Sequence, residues 1–170
     1  MGVFLVGGGI ILTLKDINLA ITNQVKNGLI GTAYSDTNFP TTDMGEKIER
    51  TAFYIEFLNN KIGNFNSSCK ERTLKVKLYF YSTDKYQYKL ELLLMESYLE
   101  NIFYDYLKIS DSFIINTGDT TFDTLKGGIL ICNLDLYTIE NVTDETFDNT
   151  PQSTENDNQE IIEELDITIR

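Results

Sequence analysis

Few side chains in this sequence have the type and spacing to do chemistry, and each has a structural reading beside it. Asp119 and Asp123 flank a threonine-rich turn. An EF-hand loop alternates its oxygen ligands around a glycine, which this pair does not, so the two read as turn residues. Glu96 and Glu100 stand four apart on a helical stretch. Paired acids that move protons need an apolar pocket or a histidine partner; without one they read as a solvated face. Lys75 and Lys77 lie on one side of a strand, and Tyr79 and Tyr81 continue that side. Cations beside aromatic rings can form a platform for single-stranded nucleic acid, but two lysines in so acidic a chain are a weak footprint.

Other catalytic chemistry is missing at the level of residue type. The chain has no histidine, which removes the commonest general base and the commonest zinc ligand. Cys69 and Cys132 are its only cysteines and fit no metal or redox spacing. They read as reduced thiols of a cytosolic protein, with Cys132 buried in a strand. Gly7-Gly8-Gly9 is not followed by the Gly-Lys-Ser/Thr of a phosphate-binding loop. Asn66-Ser67-Ser68 and Asn141-Val142-Thr143 match the glycosylation pattern, which has no meaning without secretion. The expectation is a non-enzymatic protein with no catalytic residue, no cofactor and no metal site.

The elements that must position these residues follow from two periodicities. In residues 72–82, Leu74, Val76, Leu78 and Phe80 alternate with Thr73, Lys75, Lys77, Tyr79 and Tyr81, the mark of a strand with one buried face. The period then lengthens, and Tyr88, Leu92, Met95, Leu99, Ile102, Phe103 and Tyr106 line one stripe of a helix about six turns long. Ser82 or Asp84 is placed to cap its start. Residues 13–29 read as an earlier helix with Leu14, Ile17, Ile21 and Val25 on its apolar stripe, Thr13 or Asp16 at its start and Gly28 as its stop. A short strand is expected at 32–34, a surface loop at 36–47, a strand at 51–58 and a long Gly/Asn/Ser connection at 59–68. Residues 113–116, 120–125 and 129–138 complete the set, the last with Leu130, Cys132, Leu134 and Leu136 on one face. The order predicts an α+β fold: a mostly antiparallel sheet with two helices packed on one face.

With 170 residues the chain is one domain by size. Its net charge of −12 is concentrated. Residues 1–126 hold 13 Lys and Arg against 15 Asp and Glu, whereas 127–170 hold one Arg against 11 acids. Specific nucleic-acid binding is therefore not expected. Residues 12–142 form the domain, 143–160 an acidic linker, and 161–170 a strand-like segment in which Leu165, Ile167 and Ile169 alternate with polar residues. A lone strand is unstable in water, so this segment needs a sheet edge: its own, a second copy's or a partner's.

Residues 1–11 are apolar and glycine-rich, too short to cross a membrane and without the features of a signal peptide. Three glycine codons are G-rich, as a ribosome-binding site is, and one reading starts translation at Leu12 with 1–11 as a translated leader; the other makes 1–11 an arm. Leu90, Leu93 and Tyr104 fall on the back of the long helix, off its core stripe. With Tyr79 and Tyr81 on the outer sheet face, they are candidate subunit or partner contacts.

The succession LTLKDINLAITNQVK, a variable loop, TAFYIEFLNN, ERTLKVKLYFYS with its long helix, and ILICNLDLYTIENV resembles the tail terminator family. These are small tail-completion proteins of phages and of phage-tail-like contractile particles in Gram-positive bacteria. The resemblance covers residues 12–142; the leader and the long acidic extension depart from it. It implies a homohexameric ring that binds the last ring of tail tube protein, stops polymerisation and holds the end of the sheath protein. It also implies assembly in the bacterial cytoplasm, then residence in the particle. An acidic surface near the channel would keep DNA from sticking. Independently of the resemblance, the alternation of Leu165, Ile167 and Ile169 suits a strand added to a neighbouring subunit or to the sheath. The rival readings are another neck, collar or baseplate adaptor of the same particle, and a monomeric protein-binding module.

Overall fold

Strict alternation produces the two strands at the centre of the molecule, and the rest is arranged around them. The computed structural model describes residues 12–40 and 50–141, with the backbone of 5–6 and 9–10. In chain order the elements are β1 (Leu5–Val6), β2 (Gly9–Ile10), α1 (Leu14–Gly28), β3 (Ala52–Asn66), β4 (Cys69–Tyr81), α2 (Lys89–Ile102), β5 (Tyr106–Ser110), β6 (Phe113–Thr117), β7 (Thr121–Leu125) and β8 (Ile129–Asn141). β1 and β2 pair as a minimal antiparallel hairpin. The other six strands form one sheet in the order β3-β4-β8-β6-β5, with β7 also on β8, and every pairing is antiparallel. The α+β architecture expected from the element order is the one observed.

β4 and β8 pair without interruption from Cys69↔Asn141 to Tyr81↔Ile129. This register puts Leu74, Val76, Leu78 and Phe80 on the same face as Leu130, Cys132, Leu134 and Leu136, and all eight are buried. Ile17, Ile21 and Val25 of α1 and Leu92, Met95 and Leu99 of α2 join them in a single core, so both helices cover one side of the sheet. Each such large apolar side chain contributes about 1.5–3 kcal/mol by leaving water.

α1 begins as its sequence suggests. Thr13 and Asp16 form a reciprocal capping box, with Thr13 N donating to Asp16 Oδ2 at 3.0 Å and Asp16 N to Thr13 Oγ1 at 3.2 Å. Gly28 is not a left-handed stop, since the helix is closed by Leu29 in a right-handed conformation. Its missing Cβ instead lets the last turns of the two helices meet, because a Cβ there would overlap the Ile102 side chain.

Four further expectations are corrected. The second helix ends at Ile102, about four turns long, and Tyr106 lies in β5 instead of on the helix stripe. Here Gln24 of α1 takes the backbone beyond the helix: its Nε2 donates to Ile102 O and Tyr106 O at 2.7 Å each, and its Oε1 accepts from Lys108 N at 3.0 Å. Neither Ser82 nor Asp84 caps α2, whose N-cap Tyr88 makes no side-chain cap bond. Ser82 is buried against the Gly128 turn, its N–H bonded to Gly128 O at 2.9 Å, and Asp84 Oδ1 accepts from Tyr86 N. Gly128, at φ 74, leaves no room for a Cβ beside Ser82.

The long connection expected at 59–68 is strand for most of its length, and the turn is only Ser67-Ser68. Asn59 and Asn60 form a bulge between Leu58↔Lys75 and Lys61↔Thr73, with Asn59 at φ 50, a conformation asparagine tolerates. Residues 32–34 are turn, not strand. Tyr34 packs edge-on against Phe80 with centroids 5.8 Å apart, and Phe39 stacks on Phe53 at 5.1 Å, so this stretch covers one end of the core. Residues 41–47 of the expected loop lie outside the described residues.

Candidate functional site

With the sheet-facing side of α2 buried, its outer side carries the most exposed apolar side chains of the helix. Leu90 is 82% exposed, Leu93 61% and Leu94 46%, and Tyr86 precedes them, also exposed. Leu90 and Leu93 are therefore where the sequence placed them. Leu94 was not singled out, although the run Leu92-Leu93-Leu94 signals it: three consecutive positions cannot all face one core. Tyr104 is exposed too, but it sits in the turn after the helix end and not on the helix. A shallow cleft of about 210 Å³ between α2 and β7, lined by Tyr88, Leu92, Leu93, Glu96 and Thr124, lies along this surface.

The opposite sheet face is a cross-strand network. Tyr79 donates to Glu56 Oε2 at 2.7 Å and lies 6.1 Å from the ring of Tyr54. Burial, then the bond to Glu56, pushes the Tyr79 hydroxyl up to about 12. Tyr81, expected on the exposed face, is only 6% exposed; it sits between Ala52 and Ile129 in the register. Burial raises its pKa as well. Lys75 pairs with Asp135 at 3.1 Å, which removes half of the two-lysine footprint considered for nucleic acid. Asp123 accepts from Asn133 Nδ2 at 2.9 Å, a turn-and-strand role. Among the described residues no group of three or more His, Cys, Asp or Glu could hold a metal, and no helix is long and apolar enough to cross a membrane.

Leu165, Ile167 and Ile169 lie outside the described residues. A cleft of about 850 Å³ opens between α1 and β5 and is lined mainly by polar side chains including Asn23, Gln24, Asn27 and Asn101. Nothing in it pairs a nucleophile with a base. Of the two thiols, Cys132 is fully buried and pushed up to about 12 by that burial, while Cys69 is half-buried at the sheet end. Thiol titration of the native protein at pH 8 should count one fast group, Cys69. Cys132 should react at least about a thousandfold more slowly, through unfolding. Two fast thiols would contradict the packing of β8.

The described residues form a small α+β domain with an apolar outer helix face. A family model described as phage tail terminator protein matches residues 16–149. The chain belongs to the phage tail terminator family. The match runs seven residues past 142, into the acidic stretch. No curated protein matches the chain. Membership gives it a structural, tail-terminating role and makes it a component of a phage tail that contacts other tail proteins.

Proposed function

We propose that this tail terminator closes the growing end of the tail tube as a homohexameric ring, stops addition of tube protein and anchors the end of the sheath. The observation that carries the reading is the outer face of α2. Leu90, Leu93 and Leu94 expose apolar surface that no described element covers, on a rigid helix whose other side is locked into the core. Apolar, well-packed patches of this kind gain most from association. Ring closure needs a head-to-tail contact between unlike surfaces, and the α2 face and the polar outer sheet face are unlike. Assembly takes place in the bacterial cytoplasm, with no catalytic step, no membrane contact and no specific nucleic-acid binding.

The test is assembly without the protein. Particles from cells lacking it should carry tubes of uncontrolled, excess length, and restoring it should return a single length with density for a ring at the head-proximal end. Tails of normal length in its absence, or a location at the baseplate, would refute the proposal.

A further inference from the structure

One margin of the sheet is closed by a side chain. Among the described residues the strand path ends at β5, and an end strand offers its backbone N–H and C=O groups to any chain that can pair with them. Here two of those groups are taken by Gln24 of α1. Its Nε2 donates to Tyr106 O at 2.7 Å, and its Oε1 accepts from Lys108 N at 3.0 Å. An N–H given to one residue and an oxygen offered two residues on is what a single residue of a parallel neighbouring strand provides. The same Nε2 donates to Ile102 O at 2.7 Å, so both amide hydrogens and the oxygen are engaged. The helix that carries Gln24 is held close: a Cβ at Gly28 would overlap the Ile102 side chain.

The rest of this edge is built to the same end. The register shifts between Lys108↔Ile114 and Ser110↔Phe113, a bulge of the kind that breaks up edge pairing. Lys108 Nζ lies 2.7 Å from Asp111 Oδ1, which sets a charged pair just beyond the amide. What the edge borders explains the need. Leu107 and Ile115 face the core, so Tyr106 and Ile114 share the outer face, where they are 43% and 56% exposed. Large apolar side chains beside an unpaired edge favour strand addition.

We infer that Gln24 is a strand surrogate that keeps β5 from pairing with the β5 of a second copy of this chain. A second copy is the occupant because β5 can run antiparallel to its own symmetry mate, which joins Tyr106 and Ile114 of both copies on one outer face. Access is available, since the cleft between α1 and β5 opens onto Gln24. With the amide in place the two backbone groups that such a pair would use are already bonded. Contacts between subunits are thereby confined to other surfaces. The inference concerns the sheet edge and holds whether or not the subunits form a ring.

Analytical ultracentrifugation would compare the parent with Gln24→Ala, a change that suits a helix interior. The variant should self-associate at least about tenfold more tightly than the parent. Hydrogen exchange adds a signature that the loss of a purely structural tie would not give. At about 1 μM the Lys108 amide of the variant should exchange at least about tenfold faster than in the parent, and at about 500 μM it should be protected again. The amides of Leu78 and Leu134 report the fold; if they lose protection, Gln24→Met, which keeps the bulk, takes the place of the first variant. Adding Lys108→Pro to either variant should return association to the parent's level, because that N–H faces Gln24 and its loss breaks no bond to β6. Association equal to the parent's without the amide would overturn the inference. So would association that survives Lys108→Pro, because the contact would then lie elsewhere.

Discussion

Glutamate at both Leu90 and Leu93 is expected to abolish capping while leaving the subunit folded. The two side chains are 82% and 61% exposed, so the substitutions remove little that the isolated subunit uses. Surface changes away from caps and buried networks usually stay within about 0.5 kcal/mol. In the proposed ring the same positions would become buried. Each leucine then contributes about 1.5–3 kcal/mol, and a desolvated, unpaired carboxylate in its place costs several more. Association should weaken by at least about a thousandfold, since each 1.4 kcal/mol is a factor of ten. Circular dichroism melts would establish the intact fold, and electron microscopy of tails assembled with the variant would read length. Normal tails with the double variant would place the contact surface elsewhere.

The second large effect is on stability. Arg72 is 8% exposed, and its guanidinium gathers three parts of the chain. Nε reaches Glu140 Oε1 at 2.7 Å, Nη2 the Leu12 carbonyl at 3.0 Å, and Nη1 the Asn60 side chain at 3.3 Å. It therefore ties the entry to α1 and the β3 bulge to the β8 end. Arg72→Met keeps the bulk but leaves the Glu140 carboxylate, 11% exposed, without its cation. Removing one partner of a buried pair costs about 3–5 kcal/mol, whereas removing both is often close to neutral. For a chain of this size the loss corresponds to a melting temperature lower by roughly 6–20 °C. The double variant Arg72→Met with Glu140→Leu should recover most of it. A single variant that melts within a degree of the parent would show that the pair is not held as described.

Where local pattern and tertiary pairing agree, the sequence was a good guide. β4 and β8 alternate without a break, and the α1 cap lies in its own four residues, Thr13 to Asp16, so both were legible. The misreadings arise where distant partners decide. Asn59, Asn60, Gly63 and Asn64 are poor strand formers and looked like a loop, yet pairing with β4 carries them as strand, with the surplus residue absorbed in the bulge. Tyr106 and Leu107 suit a helical stripe, but the hairpin of β5 with β6 competes for them. Gln24, 78 to 84 residues away, supplies the bonds at that junction, and no local pattern announces it.

The exposed apolar surface divides in the same way. The exposure of Leu90 and Leu93 was legible because being off-stripe is a local property. The burial of Tyr81 was not, because it comes from Ala52 and Ile129 on two neighbouring strands.

The position of β8 also governs when the domain can form. The last described strand to be synthesised is inserted between β4 and the β6–β7 margin, so the sheet has no centre until residue 141 has been made. Pairs such as Cys69↔Asn141 close loops of about 70 residues, and long-range pairings of this kind slow folding. During translation the β3–β4 hairpin and both helices therefore wait, with apolar faces bare, for their keystone. A nascent chain stalled before β8 should be a good chaperone client, and one stalled after it a poor one.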